Sequence, residues 1–121
     1  MASARYRKLY PRIWQNRDFR ALVADHRLVA LYLLTGPQTN RLGYYRLSVG
    51  EATEDLALSP SKFATAIRVV TKAMGWRWDA DARVVWITSW WTWNPPEAAN
   101  NLKGAIKDYF DVPASPLSKG F

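Results

Sequence analysis

Between residues 48 and 87 the spacing of apolar positions changes from the 3.6-residue period of helices to the two-residue alternation of strands. Ser48-Val-Gly-Glu51 has the S-x-x-E form of a capping box, in which serine and glutamate satisfy each other's backbone donors. Leu58-Ser-Pro-Ser61 then stops one helix and starts the next, with Ser59 as N-cap and Pro60 in the first helical position. Within residues 60–74, Phe63, Ile67, Val70 and Met74 recur at i, i+4, i+7 and i+11, one core-facing stripe. Gly75 ends that helix, and residues 76–87 read as strand, turn, strand, with Trp76, Trp78 and Trp86 alternating onto one sheet face. The order helix, turn, helix, hairpin predicts an α+β, mainly α fold. It is a winged helix-turn-helix with a small antiparallel sheet and an extra C-terminal helix.

The same patterning extends outwards from this segment. Residues 6–10 form a basic, aromatic edge strand or arm that Pro11 breaks, and Trp14 is expected to anchor the start of the fold by burying its ring. Asn16 caps a short helix to about residue 22. Asp25 is expected to cap a longer helix whose core face carries Leu28, Leu31, Tyr32 and Leu34, closed by Gly36-Pro37. Gly43-Tyr-Tyr-Arg-Leu47 reads as a strand that pairs with the later hairpin. Residues 89–96 leave the sheet and stop at Pro95-Pro96; their tryptophans read as core or interface, with base stacking the minority reading. An amphipathic helix over about 97–110 follows, with Ala98, Leu102, Ala105 and Tyr109 on one side, then an extended or frayed tail from Asp111. Two regions of one compact unit result: residues 1–96 as the winged domain with its basic arm, and 97–121 packed on it.

Composition narrows the chemistry. The 121 residues carry a net charge of +7, which favours a polyanionic partner such as nucleic acid or an acidic protein surface, and seven tryptophans, a high number for so short a chain. There is no cysteine and only one histidine, His26, so thiolate ligands, disulfides and a zinc site built on histidines are excluded. No apolar run approaches the roughly 20 residues of a membrane span, and the basic N-terminus is not followed by a secretory apolar region. A cytoplasmic location in a bacterial host cell fits best. No phosphate-binding loop, ligand cluster or nucleophile–base pair appears, and Glu51, Glu54 and Asp55 read as solubilising acids. The expectation is therefore a protein that is not an enzyme and takes no cofactor or metal.

The candidate interface lies on the second helix of the motif. Ser61, Lys62, Thr65, Arg68 and Lys72 oppose its apolar stripe and include no acid, the pattern of a DNA-contacting recognition helix. Arg77 and Arg83 add a wing contact that Asp79 and Asp81 partly cancel. Arg5, Arg7, Lys8 and Arg12 form a candidate basic arm. A homodimer built through the terminal helix and the arm would present two recognition helices to half-sites about one helical turn apart; oligomeric state is open.

Residues 6–14 (Tyr-Arg-Lys-Leu-Tyr-Pro-Arg-Ile-Trp), Phe19-Arg-Ala-Leu22, Leu31-Tyr-Leu-Leu-Thr35 and Gly43-Tyr-Tyr-Arg-Leu47 resemble the opening of a phage-encoded family. Its members carry an N-terminal winged helix related to the DnaD-type replication initiators. The likeness continues through Glu54-Asp-Leu-Ala-Leu-Ser59, Val84-Val-Trp86 and Trp90 to Asn94-Pro-Pro96. It implies a phage or prophage DNA-binding protein of the replication-initiator or transcription-regulator type, with Ser61, Lys62, Thr65 and Arg68 in the recognition positions. Larger relatives continue into a second domain, and in DnaD-type proteins the winged domain also serves self-association. The alternative is accordingly a protein-interaction module or inhibitor of the counter-defence type, docking on a host nucleic-acid-processing complex.

Overall fold

The computed structural model describes residues 6–94 and 101–119. After a 3-10 turn (Pro11–Gln15) come α1 (Arg17–Arg20), α2 (Ala24–Thr35), β1 (Tyr44–Arg46), α3 (Val49–Leu56), α4 (Pro60–Met74), β2 (Arg77–Asp79) and β3 (Val84–Trp86). A short α5 (Trp90–Trp93), α6 (Asn101–Asp111) and a last 3-10 turn (Pro116–Lys119) complete the described chain. The fold is α+β and mainly helical, with one three-stranded antiparallel sheet in the order β1-β3-β2. The expected boundary near residue 96 and the expected helical start at Glu97 and Ala98 lie outside the described residues.

Local chemistry sets several helix ends. Asn16 caps α1 by accepting from the Phe19 N–H at 2.9 Å, and Ser59 caps α4 by accepting from the Lys62 N–H at 3.2 Å. Gly75 closes α4 at φ 73°, in the left-handed region where glycine carries no Cβ penalty. Ser48 caps α3 through the Glu51 N–H at 3.4 Å, but the capping box is only half made. Gln38 supplies the other half: its Oε1 accepts from the Ser48 N–H, and its Nε2 donates to the Ser48 carbonyl. Asp25 does not cap α2. Val23 holds the N-cap position without a side-chain bond, and Asp25 lies in the first turn, where a carboxylate still complements the helix dipole.

One core joins the helices to the inner face of the sheet. Phe63, Ala66, Ile67 and Val70 on α4 are buried with Val29, Ala30, Leu33 and Leu34 on α2, the most extensively packed pair of elements. Each large apolar side chain removed from water in this way is worth about 1.5–3 kcal/mol. The buried face of α2 is thus rotated from the expected one: Leu28 is 46% exposed, while Val29 and Leu33 are fully covered. Ile13, not Trp14, anchors the entry to the fold. Trp14 is 53% exposed and meets the Phe19 ring edge-on at 5.2 Å. The basic segment before Pro11 forms no strand.

The sheet register separates two faces. Tyr45, Val85 and Trp78 are cross-strand neighbours on the helix-covered face, while Tyr44, Trp86 and Arg77 share the outer one. Trp86 therefore does not join Trp76 and Trp78, because the hairpin pairs an even position with an odd one. The outer face is covered by the C-terminal region. Val112 and Leu117 pack on Leu42, Tyr44 and Val84, and Tyr109 sits 6.1 Å from the Tyr44 ring. Asp108 on α6 accepts from the Arg41 backbone N–H at 2.9 Å and pairs with its guanidinium at 3.4 Å. The tail is not frayed: buried Ser115 donates to Asp79 Oδ2 at 2.7 Å. The side chains of Leu102 and Ala105, expected on the inner face of α6, lie outside the described residues.

Gly43 and Trp90 make the tightest joint. Gly43 has φ 67°, and a Cβ there would lie 2.5 Å from the Trp90 ring, whose Nε1 donates to the Arg41 carbonyl at 3.0 Å. Gly43→Ala meets both backbone strain and an overpacked ring, and is expected to cost about 2–4 kcal/mol. A lower urea midpoint at unchanged m-value checks this.

Two tyrosines link α2 to its neighbours. Tyr45 donates to the Leu33 carbonyl at 2.6 Å, and Tyr32 donates to Asp55 on α3 at 2.6 Å. Burial, then the Asp55 hydrogen bond, pushes the Tyr32 phenol from 10.0 up to about 12, and burial pushes Tyr45 up as well. A raised folded-state value means that this stabilisation is complete below about pH 10 and is lost as pH rises through about 12. Tyr32→Phe is expected to flatten the fall in stability between about pH 9 and about pH 11.5, and denaturant titrations at both ends measure it.

Candidate nucleic-acid interface

With Phe63, Ala66, Ile67, Val70 and Thr71 turned inwards, the opposite side of α4 carries Ser61, Lys62, Thr65, Arg68 and Lys72, all exposed. Ser61, Thr65, Arg68 and Lys72 succeed one another at i, i+4, i+7 and i+11, a single ridge along the helix. Lys62 and the 37%-exposed Val69 flank it on one side, and Ala64 flanks it on the other. Thr71 is the one buried polar side chain of the helix. It donates to the Ile67 carbonyl at 2.7 Å, so its burial leaves no unsatisfied hydroxyl.

The cations divide into two sets according to what they touch. Arg7 donates to the Thr39 hydroxyl and carbonyl, both at 2.9 Å. Arg12 donates to the Thr92 carbonyl at 2.9 Å and lies 4.7 Å from the centroid of the Tyr10 ring. Arg27 donates to the carbonyls of Leu22 and Arg20, at 2.9 and 2.7 Å. Arg41 is held by Asp108, and Arg17 lies 3.7 Å from its neighbour Asp18. By contrast, Lys62, Arg68 and Lys72 on α4 make no side-chain hydrogen bond or ion pair among the described residues, nor do Arg20, Arg46, Arg77, Arg83 and Lys107.

This division corrects the candidate list. Arg7 and Arg12 are structural clamps, not members of a free basic arm, and Arg5 lies outside the described residues. Lys8 is exposed and has an interaction within the molecule. Arg77 and Arg83 are exposed but do not lie on α4: Arg77 shares the outer sheet face with Trp86, and Arg83 sits in the hairpin turn at φ 57°. That turn also holds Asp79, whose carboxyl accepts from Ser115 and from the backbone N–H groups of Ala82 and Asp81. The Ser115 bond, followed by the Ala82 bond, holds it below the usual carboxylate range. The turn is thereby fixed as a mixed-charge feature.

Arg20, Arg46 and Lys107 are uncommitted cations that the sequence pattern did not single out. For Arg46 the signal was available, since the Tyr44-Tyr45-Arg46-Leu47 alternation places it on the outer face. The acids of α3, Glu51, Glu54 and Asp55, are exposed, so the acidic and basic helices of the motif present separate surfaces. Of the C-terminal tryptophans, Trp90 and Trp93 are buried and Trp91 is 46% exposed, so only Trp91 presents an aromatic face to solvent. No described helix is long and apolar enough to cross a membrane, and no group of three or more His, Cys, Asp or Glu among the described residues could hold a metal ion.

Comparison with protein-family models, with curated proteins and with solved structures yields no match to this chain.

The two sets of cations respond differently to truncation. Arg12→Ala removes a hydrogen bond and a cation–π contact and is expected to lower stability by about 1–2 kcal/mol. Lys62→Ala and Arg68→Ala are expected to stay within about 0.5 kcal/mol of the parent. Urea unfolding of the three variants makes the comparison.

Proposed function

We propose that this chain binds duplex DNA by laying the outer face of α4 in the major groove, as a phage or prophage protein of the replication-initiator or regulator type. The observation that carries the proposal is the α4 surface. Three cations and two hydroxyls are exposed there, no acid lies among them, and no protein group among the described residues engages the three cations. A phosphate-lined groove offers the missing partners.

The architecture supports the same reading. Helices α3 and α4 are separated by residues 57–59, a turn of helix-turn-helix length. A strand precedes the pair, a hairpin follows it, and the sheet order is β1-β3-β2, which suits a winged arrangement with α4 as the recognition helix. The phage origin rests on the resemblance to the family of DnaD-type winged domains.

A second reading draws on α6. Ile106 and Phe110 stand one turn apart and are 52% and 78% exposed, an apolar stripe suited to a protein-interaction module docking on a host nucleic-acid-processing complex. Absence of duplex binding at low salt, with a stoichiometric host protein held through α6, would favour this reading.

Titration of mixed-sequence duplexes across salt concentration tests the proposal. Affinity is expected to fall linearly on a log–log plot, and Lys62→Ala and Lys72→Ala should each reduce the slope by about 1. Arg7→Ala should leave it unchanged, because that guanidinium is already bound to Thr39. A flat salt profile would defeat the proposal, as would unaltered binding by Arg68→Glu.

A further inference from the structure

Along the outer face of α4 the charges are not evenly placed. Lys62 lies in the first turn and Lys72 in the last, ten positions apart, which is about 15 Å along the helix axis. The major groove is about 12 Å wide. A helix entering the groove at an angle would bring lysines near its two ends towards the phosphates and its middle over the base edges. That middle consists of Thr65 and Arg68, with the exposed methyl groups of Val69 beside them.

Arg68 differs from the arginines that serve the fold, and from the unpartnered Arg20, Arg46, Arg77 and Arg83 in lying on α4. Arg7, Arg12, Arg27 and Arg41 hydrogen-bond to the protein itself, whereas the guanidinium of Arg68 has no partner among the described residues and stands on a rigid helix whose rotation the core fixes. A planar fork held in that position matches the paired acceptors O6 and N7 of guanine, which a lysine point charge does not reproduce. The methyl groups of Thr65 and Val69 suit the C5-methyl of thymine.

We infer that Arg68 is the specificity-determining residue of α4, reading a guanine in the major groove next to a thymine contacted by Thr65 and Val69, while Lys62 and Lys72 bind phosphate without regard to sequence. The inference rests on the proposed duplex binding and goes beyond it by naming the base. It divides the face into one reading position and two anchoring positions.

Selection of the full chain against a randomised duplex pool, followed by anisotropy titrations on the enriched site, provides the test. The expected site contains a G·C pair beside a T·A pair. Replacing that guanine by 7-deazaguanine, which lacks the N7 acceptor, should weaken binding about ten- to hundredfold. Arg68→Lys keeps the charge and the exposed position; it should retain the salt slope but lose the guanine preference and the sensitivity to 7-deazaguanine. An enriched site without guanine overturns the inference, as does an Arg68→Lys variant that selects the same site. Salt-dependent binding with no preferred site overturns it too, while leaving the duplex-binding proposal standing. Failure to bind any duplex at low salt defeats that proposal itself.

Discussion

Phe63, Ile67 and Val70 of α4 meet Val29, Ala30, Leu33 and Leu34 of α2 in one buried core, and the orientation of every other residue on α4 follows from that contact. A helix whose buried stripe is fixed cannot rotate without exposing a phenylalanine and burying lysine or arginine, which are almost never fully buried unless paired. The ridge of Ser61, Thr65, Arg68 and Lys72 is consequently held outwards by packing on the opposite side of the helix. Capping at Ser59 and Gly75 fixes where the ridge begins and ends.

The hairpin depends on the same core through Tyr45, Val85 and Trp78, but its other face depends on the C-terminal region. Arg41 and Asp108 tie α6 to the loop before β1, and Ser115 ties the tail to Asp79 at the end of β2. These bonds steady the turn and also fix a carboxylate there. With Asp79 engaged and Asp81 beside it, the turn offers a polyanion little net attraction despite Arg83. In this molecule the electrostatic case for a duplex thus falls mainly on α4.

Much of what depends on neighbours a few residues apart was legible in the sequence, though Asp25 did not cap α2. Asn16, Ser59, Pro60 and Gly75 act through bonds or dihedral angles within one turn, and β1 together with the hairpin followed from alternation. Readings that needed tertiary information fared worse. Trp14 is larger and more apolar than most residues near it, yet Ile13 fills the site under the core because the 3-10 turn points that position inwards. Trp86 fell on the other face because strand parity says nothing about register across a turn. Ser48-x-x-Glu51 looked complete by itself, but Gln38, ten positions upstream, reaches the Ser48 N–H instead. In the candidate site, the α4 face was legible because helical periodicity alone separates it from the core. The commitments of Arg7 and Arg12 were not, since their partners lie 32 and 80 positions away.

Net charge is a poor guide to an interface for the same reason. A basic residue contributes to attraction at long range wherever it sits, but it can bind a partner at close range only if its donors are free and its position is held. Arg7, Arg12, Arg27 and Arg41 count fully towards the +7, yet their hydrogen bonds serve the fold. Removing them from consideration does not scatter what is left. Lys62, Arg68 and Lys72 remain together on one rigid helix, whereas Arg20, Arg46, Arg77, Arg83 and Lys107 are spread over α1, both outer strands, the hairpin turn and α6. Uncommitted donors concentrated on a single fixed surface are what distinguish a candidate interface from a merely basic protein.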